Sequence, residues 1–359
     1  MLAGTARENA RRGNATTVWL RAGTRDREWV PELAEAVRLR WLPDDIGDGK
    51  DLRHVVATLR AALPNSSQPT VLHTHFSDFD LASLLVGSAR RQTAIVWHEH
   101  GRPSDRPAAR ARSLVKYGAL ARPVNRILCV SSEIAQDVRA RRAPERAVLT
   151  FPNAIDLDRF VTIDPQARSD ARSALGIDAG TRVVLHFSWD WERKGGDLLL
   201  AAARILNRPD LCWITVPGPP GAEPHQGLEG LSGIRALPSR GDVRMLYASA
   251  DVFLSCSRSE GMPYAMLEAL ARGLPVVASD LPGHHPALRG LPAGYITALD
   301  PVVIAAAISR AIDLSPEDLK RHAELARARV RSEYSLADWA TRLADIYDAS
   351  QASRPGHGR

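Results

Sequence analysis

A chain of 359 residues, 45% hydrophobic and 25% charged, has room for two domains with their own cores and the composition of a globular protein, not a fibrous or disordered one. No apolar run approaches the roughly 20 residues that cross a bilayer, and the N-terminal region has no hydrophobic signal-like core, so a cytoplasmic location is expected. The three cysteines, Cys129, Cys212 and Cys256, are odd in number and show no metal spacing; this excludes a disulfide scaffold and predicts buried thiols in a reducing compartment.

Strand and helix patterns alternate along the chain, which predicts parallel α/β layers. In the first half, strands are expected at Thr17–Leu20, Thr70–His73, Ala94–Trp97, Arg126–Val130 and Val148–Phe151. Helices are expected at Pro31–Leu42, Asp51–Leu63, Asp80–Ser88, Ala108–Ala121 and Glu133–Arg141. Asp80 stands where a helix N-cap belongs. The net charge of +6 is mostly an arginine effect, and one cluster stands out: six arginines and Lys116 against the single acid Asp105 between Arg102 and Arg126. Leu114, Val115, Tyr117 and Leu120 are interleaved with it, so this stretch is either a solvated basic helix face or a surface for an anionic membrane or an acidic acceptor. The span 156–173 reads as a linker. Beyond it, strands are expected at Arg182–Phe187, Leu211–Val216, Gly233–Leu237, Asp251–Ser255 and Pro275–Ala278. Ser315-Pro-Glu-Asp318 starts a helix, Leu336–Tyr347 forms the last one, and the polar tail 351–359 is expected to be disordered.

The chemistry concentrates between Ser257 and Ser279. Two apolar strands flank a loop carrying Glu260 and a helix carrying Glu268, with Pro263 at the first helical position and Gly273 as its stop. Leu267, Leu270 and Ala271 make the apolar stripe. Unpaired amides at the helix start favour an anion such as a phosphate, and Glu268 stands about 7.5 Å further along the axis. A phosphate at the helix mouth with hydroxyl-rich groups on either side would suit this arrangement.

Taken in order, Met245-Leu-Tyr-Ala-Ser-Ala-Asp251, the Glu260-x7-Glu268 pair, Gly273-Leu-Pro-Val-Val277 and Pro282-Gly283 resemble the signature of nucleotide-sugar glycosyltransferases with the GT-B fold, family 4 (group 1) above all. Pro152-Asn-Ala-Ile-Asp-Leu-Asp-Arg-Phe160 is similar to the hinge joining the two domains of that family, with Ala154 in the usual place of glycine. The resemblance covers nearly all of 5–347, more strongly after Arg182. It implies an α/β architecture of two Rossmann-like, doubly wound domains facing a cleft: 1–155 on the acceptor side, 174–334 on the nucleotide-sugar side, and a helix at 335–350 crossing back to the first domain. The opening stretch, Thr5–Gly13 then Ala15–Leu20, looks like the family's first helix and second strand. A first strand with its Gly-rich turn is therefore expected to be encoded upstream of Met1.

The resemblance also assigns roles. In Arg193-Lys-Gly-Gly-Asp197, Lys194 matches the lysine that holds the donor diphosphate, and a cation at a strand end is well placed for that. Trp189 stands five residues earlier, where the family commonly has arginine, and Arg193 is the candidate second cation. Glu260 is assigned to sugar hydroxyls, Glu268 to the ribose, and the amides of Gly261, Met262 and Tyr264 to sugar and phosphate, Pro263 having none. His100 matches a strand-end histidine that faces the sugar, with His98 as the fallback. The pairs His73/His75 and His98/His100 each share a strand face and could bind a metal, though no acid is evidently arranged beside them. His284 and His285 have no assigned role, and Asp78-Phe-Asp80 looks like the Asp-x-Asp metal motif of another glycosyltransferase fold.

The expectation is a metal-independent, retaining glycosyltransferase with Glu260, His100 and Lys194 as its catalytic residues. It would take a nucleotide-diphosphate sugar and a hydroxyl acceptor, need no cofactor and bind no nucleic acid, and it could rest at the inner face of the membrane through Arg102–Arg126. Three other readings stay open at this point: a non-catalytic nucleotide-sugar binder, a sugar-nucleotide epimerase, and a metal-dependent hydrolase built on the histidine pairs.

Overall fold

The computed structural model describes residues 2–25, 27, 30–42, 52–63, 68–75, 79–217, 228, 233–238 and 242–352. Asp78 and the end of the tail lie outside the described residues. The chain divides into two units, Met1–Asn153 with Leu336–Arg359, and Ala154–Ser335.

The first unit runs α1 (Leu2–Arg11), β1 (Thr17–Arg21), α2 (Val30–Ala36), β2 (Arg38–Leu42), α3 (Leu52–Ala62), β3 (Thr70–His75), α4 (Asp80–Ser88), β4 (Thr93–Glu99), α5 (Pro107–Val115), β5 (Arg126–Cys129), α6 (Ser132–Ala140) and β6 (Val148–Thr150). Its strands are all parallel and form two separate groups, β1–β2 and β3-β4-β5-β6. Every residue of β4 is buried, as a central parallel strand requires.

The helix expected over Pro31–Leu42 is shorter than predicted. From Arg38 the sequence Arg-Leu-Arg-Trp-Leu alternates charged and apolar, a period of two, and that run pairs with β1 instead. Asp80 is also not an N-cap: Phe79 holds that position, and the Asp80 carboxylate is buried against Lys116 at 2.6 Å. Lys116 thus leaves the basic surface cluster and bridges Asp80 and Glu99 inside the unit. A last helix of the chain (Leu336–Ala352) packs on α1, β3 and β4, with Trp339 buried and its Nε1 donating to the Pro152 carbonyl at 2.9 Å.

The second unit runs α7 (Pro165–Ala174), β7 (Arg182–Ser188), α8 (Trp191–Lys194), α9 (Gly196–Leu206), β8 (Leu211–Pro217), β9 (Ile234–Ala236), α10 (Arg244–Ser249), β10 (Val252–Ser255), α11 (Tyr264–Ala271), β11 (Val276–Ser279), α12 (His285–Leu288), β12 (Gly294–Thr297), α13 (Pro301–Ile312) and α14 (Pro316–Glu333); the helix Leu336–Ala352 is α15. Its six strands are parallel in the order β12-β11-β10-β7-β8-β9. Val184, Val252, Leu254 and Val277 on the sheet meet Leu198, Leu199, Ile304 and Ile308 of α9 and α13 in one core. Strand β12 was not expected, because only one residue of Gly-Tyr-Ile-Thr is buried and no apolar run marks it.

The span expected as a linker carries α7, capped by the Asp164 side chain. Its Arg168 and Arg172 reach Asp251 at 2.7 and 3.4 Å, and Asp251 also accepts from the Val183 amide at 2.8 Å. The acid that closes the Met245–Asp251 stretch therefore anchors α7 and β7 to β10. A smaller shift concerns α11, where Pro263 is the N-cap and Tyr264 the first helical residue.

Candidate active site

In the second unit the winding reverses between β7 and β10: β7, β8 and β9 follow one another outward on one side, and β10, β11 and β12 on the other. Ligands of open α/β sheets bind beyond the carboxyl ends of strands at such a point. The short helix α8 that follows β7 carries Arg193 and Lys194, and the loop leaving β10 carries Glu260.

Two glycines bring these segments together. Gly195 has φ +74°, and a Cβ there would fall 2.1 Å from the Cys256 carbonyl oxygen. A Cβ on Gly283 would fall 1.9 Å from the Gly261 oxygen. Only glycine allows either approach, so the loop after β10 is held between two backbones. The contact is reinforced where Cys256 Sγ donates to the Gly195 carbonyl at 3.1 Å and the Arg258 amide donates to the Arg193 carbonyl at 2.7 Å.

Held this way, Lys194 Nζ lies 2.5 Å from Glu260 Oε1, and Ser257 Oγ donates to the same oxygen at 2.9 Å. Arg193 Nη1 is 3.8 Å from Glu260 Oε2 and donates to the Ser259 carbonyl at 3.2 Å. Asp190 caps α8 and accepts from Arg193 Nε at 2.9 Å. Trp189 is 57% exposed and lies under both cations, 4.3 Å from the Arg193 guanidinium and 5.5 Å from Lys194 Nζ. Where arginine was expected, an aromatic face holds the two cations in place. His186, fully buried at the end of β7, donates Nε2–H to the Lys194 carbonyl at 2.9 Å; burial pulls its pKa down to about 4.

Glu268 is four residues past Tyr264 on α11, one turn along the same face and about 6 Å from the helix start. Tyr247, buried on α10, donates to Glu268 Oε2 at 2.7 Å. Burial raises the Glu268 carboxyl above the usual range, against the Tyr247 hydrogen bond and the charges of Arg159 and Arg272. Gly261 and Met262 are buried between the two acids, and Tyr264 is half-buried with its phenol pKa raised by burial.

His100 belongs to the first unit, one residue past β4. The strand register sets His75 opposite His98, and His75 Nδ1 lies 3.0 Å from His100 Nε2. Burial lowers His75 to about 3 and His100 to about 4, so both rings are neutral at pH 7. Of the residues the family resemblance assigns to the donor, Arg193, Lys194, Glu260, Gly261, Met262, Tyr264 and Glu268 share the second unit, Glu260 pairing with both Lys194 and Arg193, and His100 lies in a histidine cluster of the first unit.

Sequence reasoning missed Ser257 and Tyr247, which lie inside the quoted motifs, where their polarity was the available signal, and it left His284 without a role. His284 is fully buried, with Nδ1 2.8 Å from the Ser279 carbonyl and Nε2 without a hydrogen-bond partner. Burial lowers its pKa, while the Ser279 bond and the Glu260 charge oppose that.

The sequence and the fold match a known class. Residues 2–159 fit the family model described as "Glycosyltransferase Family 4", and residues 181–313 the one described as "Glycosyl transferases group 1". The chain belongs to these glycosyltransferases and has the GT-B fold. It is 28% identical to the D-inositol 3-phosphate glycosyltransferase of Geodermatophilus obscurus over 98% of this chain and 86% of that one. The enzyme of the same name from Saccharomonospora viridis is also 28% identical, over 78% and 72%. Among solved structures, a glycosyltransferase from Rickettsia africae superposes with a TM-score of 0.82 at 15% identity, covering 98% of this chain and 94% of that one. Anabaena HepE in complex with UDP and glucose gives 0.80 at 19%, covering 97% and 95%; at these identities the likeness concerns the fold. No helix among the described residues is long and apolar enough to cross a membrane.

Proposed function

We propose that this glycosyltransferase moves a sugar from a nucleotide-diphosphate sugar to a hydroxyl acceptor with retention of the anomeric configuration, using Lys194, Arg193 and Glu260 at the ends of β7 and β10. The observation that carries this reading is the convergence of two cations and one carboxylate at the winding reversal. A diphosphate entering there exchanges partners with the lysine: Lys194 turns to phosphate, and Glu260 is released to accept from sugar hydroxyls. Two cations meet the charge that develops on the leaving diphosphate, so the reading assigns no metal to this step. The C1–O bond to the diphosphate breaks with its electrons on the phosphate oxygen. The acceptor oxygen bonds C1 on the same face, and its proton passes to that leaving oxygen.

Glu268 is assigned to the ribose and the backbone of 261–264 to sugar and phosphate, as the resemblance implies. His100 is carried by resemblance alone, as a neutral hydrogen-bonding partner of the sugar. The neighbour crystallised with UDP and glucose makes UDP-sugars the first donors to test, and the inositol-phosphate relatives make polyol phosphates the first acceptors. Mixing the chain with UDP-sugars and such acceptors should release UDP and form an α-glycoside from an α-donor, read by proton NMR of the anomeric signal. A β-glycoside would overturn retention, and free sugar without glycoside would overturn transfer to these acceptors.

Peripheral contact with an anionic membrane is also proposed, more narrowly than the whole basic stretch. Leu114 and Val115 are exposed and line a groove with Arg122, Arg142 and Arg146, whereas Arg102 is paired with Glu133 and Asp137. Co-sedimentation with anionic but not neutral vesicles supports it; equal recovery with both rules it out.

A further inference from the structure

We propose that His73, His75 and His98 form a binding site for one transition-metal ion of the zinc class, at the ends of β3 and β4 in the first unit. One ring nitrogen from each of the three lies within 4.8 Å of the others. Register explains the proximity: His73 and His75 share a face of β3, and His98 is paired opposite His75 on β4. The rings lie close together, with centroids 4.4 Å apart for His73 and His75, 5.4 Å for His73 and His98, and 5.0 Å for His75 and His98.

Unmet polar atoms point to a ligand and not to packing alone. His98 is 1% exposed, and both of its ring nitrogens are buried without a hydrogen-bond partner; His73 Nε2 is in the same position. Native interiors rarely leave such atoms unpaired. The opposite nitrogens of the other rings are held from outside, as metal-binding imidazoles require. His73 Nδ1 lies 2.6 Å from the Tyr347 hydroxyl of α15, and His75 Nδ1 lies 3.0 Å from His100 Nε2. Each of these two rings thereby keeps Nε2 for an ion.

The donor set selects the metal. Three neutral imidazoles without a carboxylate suit zinc, cobalt, nickel or copper and not magnesium or calcium. Zinc–nitrogen bonds of about 2.0–2.1 Å in tetrahedral geometry place donors roughly 3.4 Å apart, so small side-chain rotations close the site, with the fourth position left to water. The bound ion would tie β3 to β4 and, through Tyr347, both strands to α15. The three histidines belong to the first unit, and the proposed donor residues Lys194, Arg193 and Glu260 to the second.

The test uses full-length chain without an affinity tag, stripped with a chelator and titrated with Co2+. One equivalent should bind, with the visible ligand-field bands of a low-coordinate nitrogen site, and Zn2+ should displace it and raise the melting temperature. His73→Gln, His75→Gln and His98→Gln should each weaken Co2+ binding roughly tenfold or more, whereas exposed His54→Gln should not. Circular dichroism establishes that each variant is folded, and the wild-type titration stands even if a variant is not. Wild-type chain retaining no Co2+ above the buffer blank overturns the site, as does binding unchanged across all three variants.

Discussion

The two units place reactive side chains at the ends of parallel strands, but they hold them by opposite means. In the second unit one continuous sheet of six strands brings Lys194, Arg193 and Glu260 together as a charged group, fixed by backbone approaches at Gly195 and Gly283. In the first unit the strands fall into two groups, and the strand ends carry neutral, stacked histidines, with half-buried Lys116 bridging Asp80 and Glu99. The difference shows how one layered architecture sets chemistry by what satisfies its strand ends. Salt bridges leave exchangeable charges for an anionic ligand, whereas buried imidazoles leave lone pairs.

The largest effect expected from breaking this contrast is at the glycine clamp. Gly195→Val places a branched side chain at positive φ and against the Cys256 carbonyl, costing about 1–2 kcal/mol for the backbone conformation and about 1–3 kcal/mol for overpacking. Nucleoside diphosphate binding should fall with stability, and thermal denaturation beside calorimetry reads both. Unchanged melting and binding would mean that the two segments are not held by this contact.

The next effect separates the two acids. Glu268→Ala should weaken the bare nucleoside diphosphate as well as the sugar donor, because its assigned partner is the ribose. Glu260→Ala should leave the bare nucleotide bound and cut turnover, because its assigned partner is the transferred sugar. The reverse pattern would exchange the two roles.

The smallest effect concerns acid. His186 has a folded pKa of about 4 against an ordinary value of 6.5, so the folded state binds fewer protons than the unfolded state between those values. Its contribution is fully present above pH 6.5 and is lost as pH falls toward 4, up to about 3 kcal/mol. Melting temperature should therefore drop across that window, with a shallower slope in His186→Gln. Parallel slopes for the two proteins would place the acid sensitivity elsewhere.

Much of this was legible in the sequence because the second unit advertises itself locally. Apolar runs bounded by glycine and proline marked β7, β8, β10 and β11, and the spacing from Met245 to Gly283 carried the family resemblance. Short β12 left no such trace, and β2 was hidden because Val30–Ala36 and Arg38–Leu42 are separated by a single residue with no breaker between them. Side-chain partners were harder to foresee. Nothing near Lys116 in the sequence says that it turns inward to Asp80 and Glu99, and nothing near Trp189 says that it lies under Arg193 and Lys194. The His-x-His pairs were visible, but their merging into one cluster follows from the pairing of β3 with β4, a long-range fact.

The central claim, that the strand ends of β7 and β10 hold the diphosphate of the donor, is tested most directly by calorimetric titration of UDP into wild-type chain and Lys194→Ala. A charge-assisted hydrogen bond contributes about 1.5–3 kcal/mol, so the variant should bind UDP roughly ten- to a hundredfold more weakly while remaining folded. Equal affinity for the two folded proteins would contradict the assignment and move the diphosphate away from Lys194.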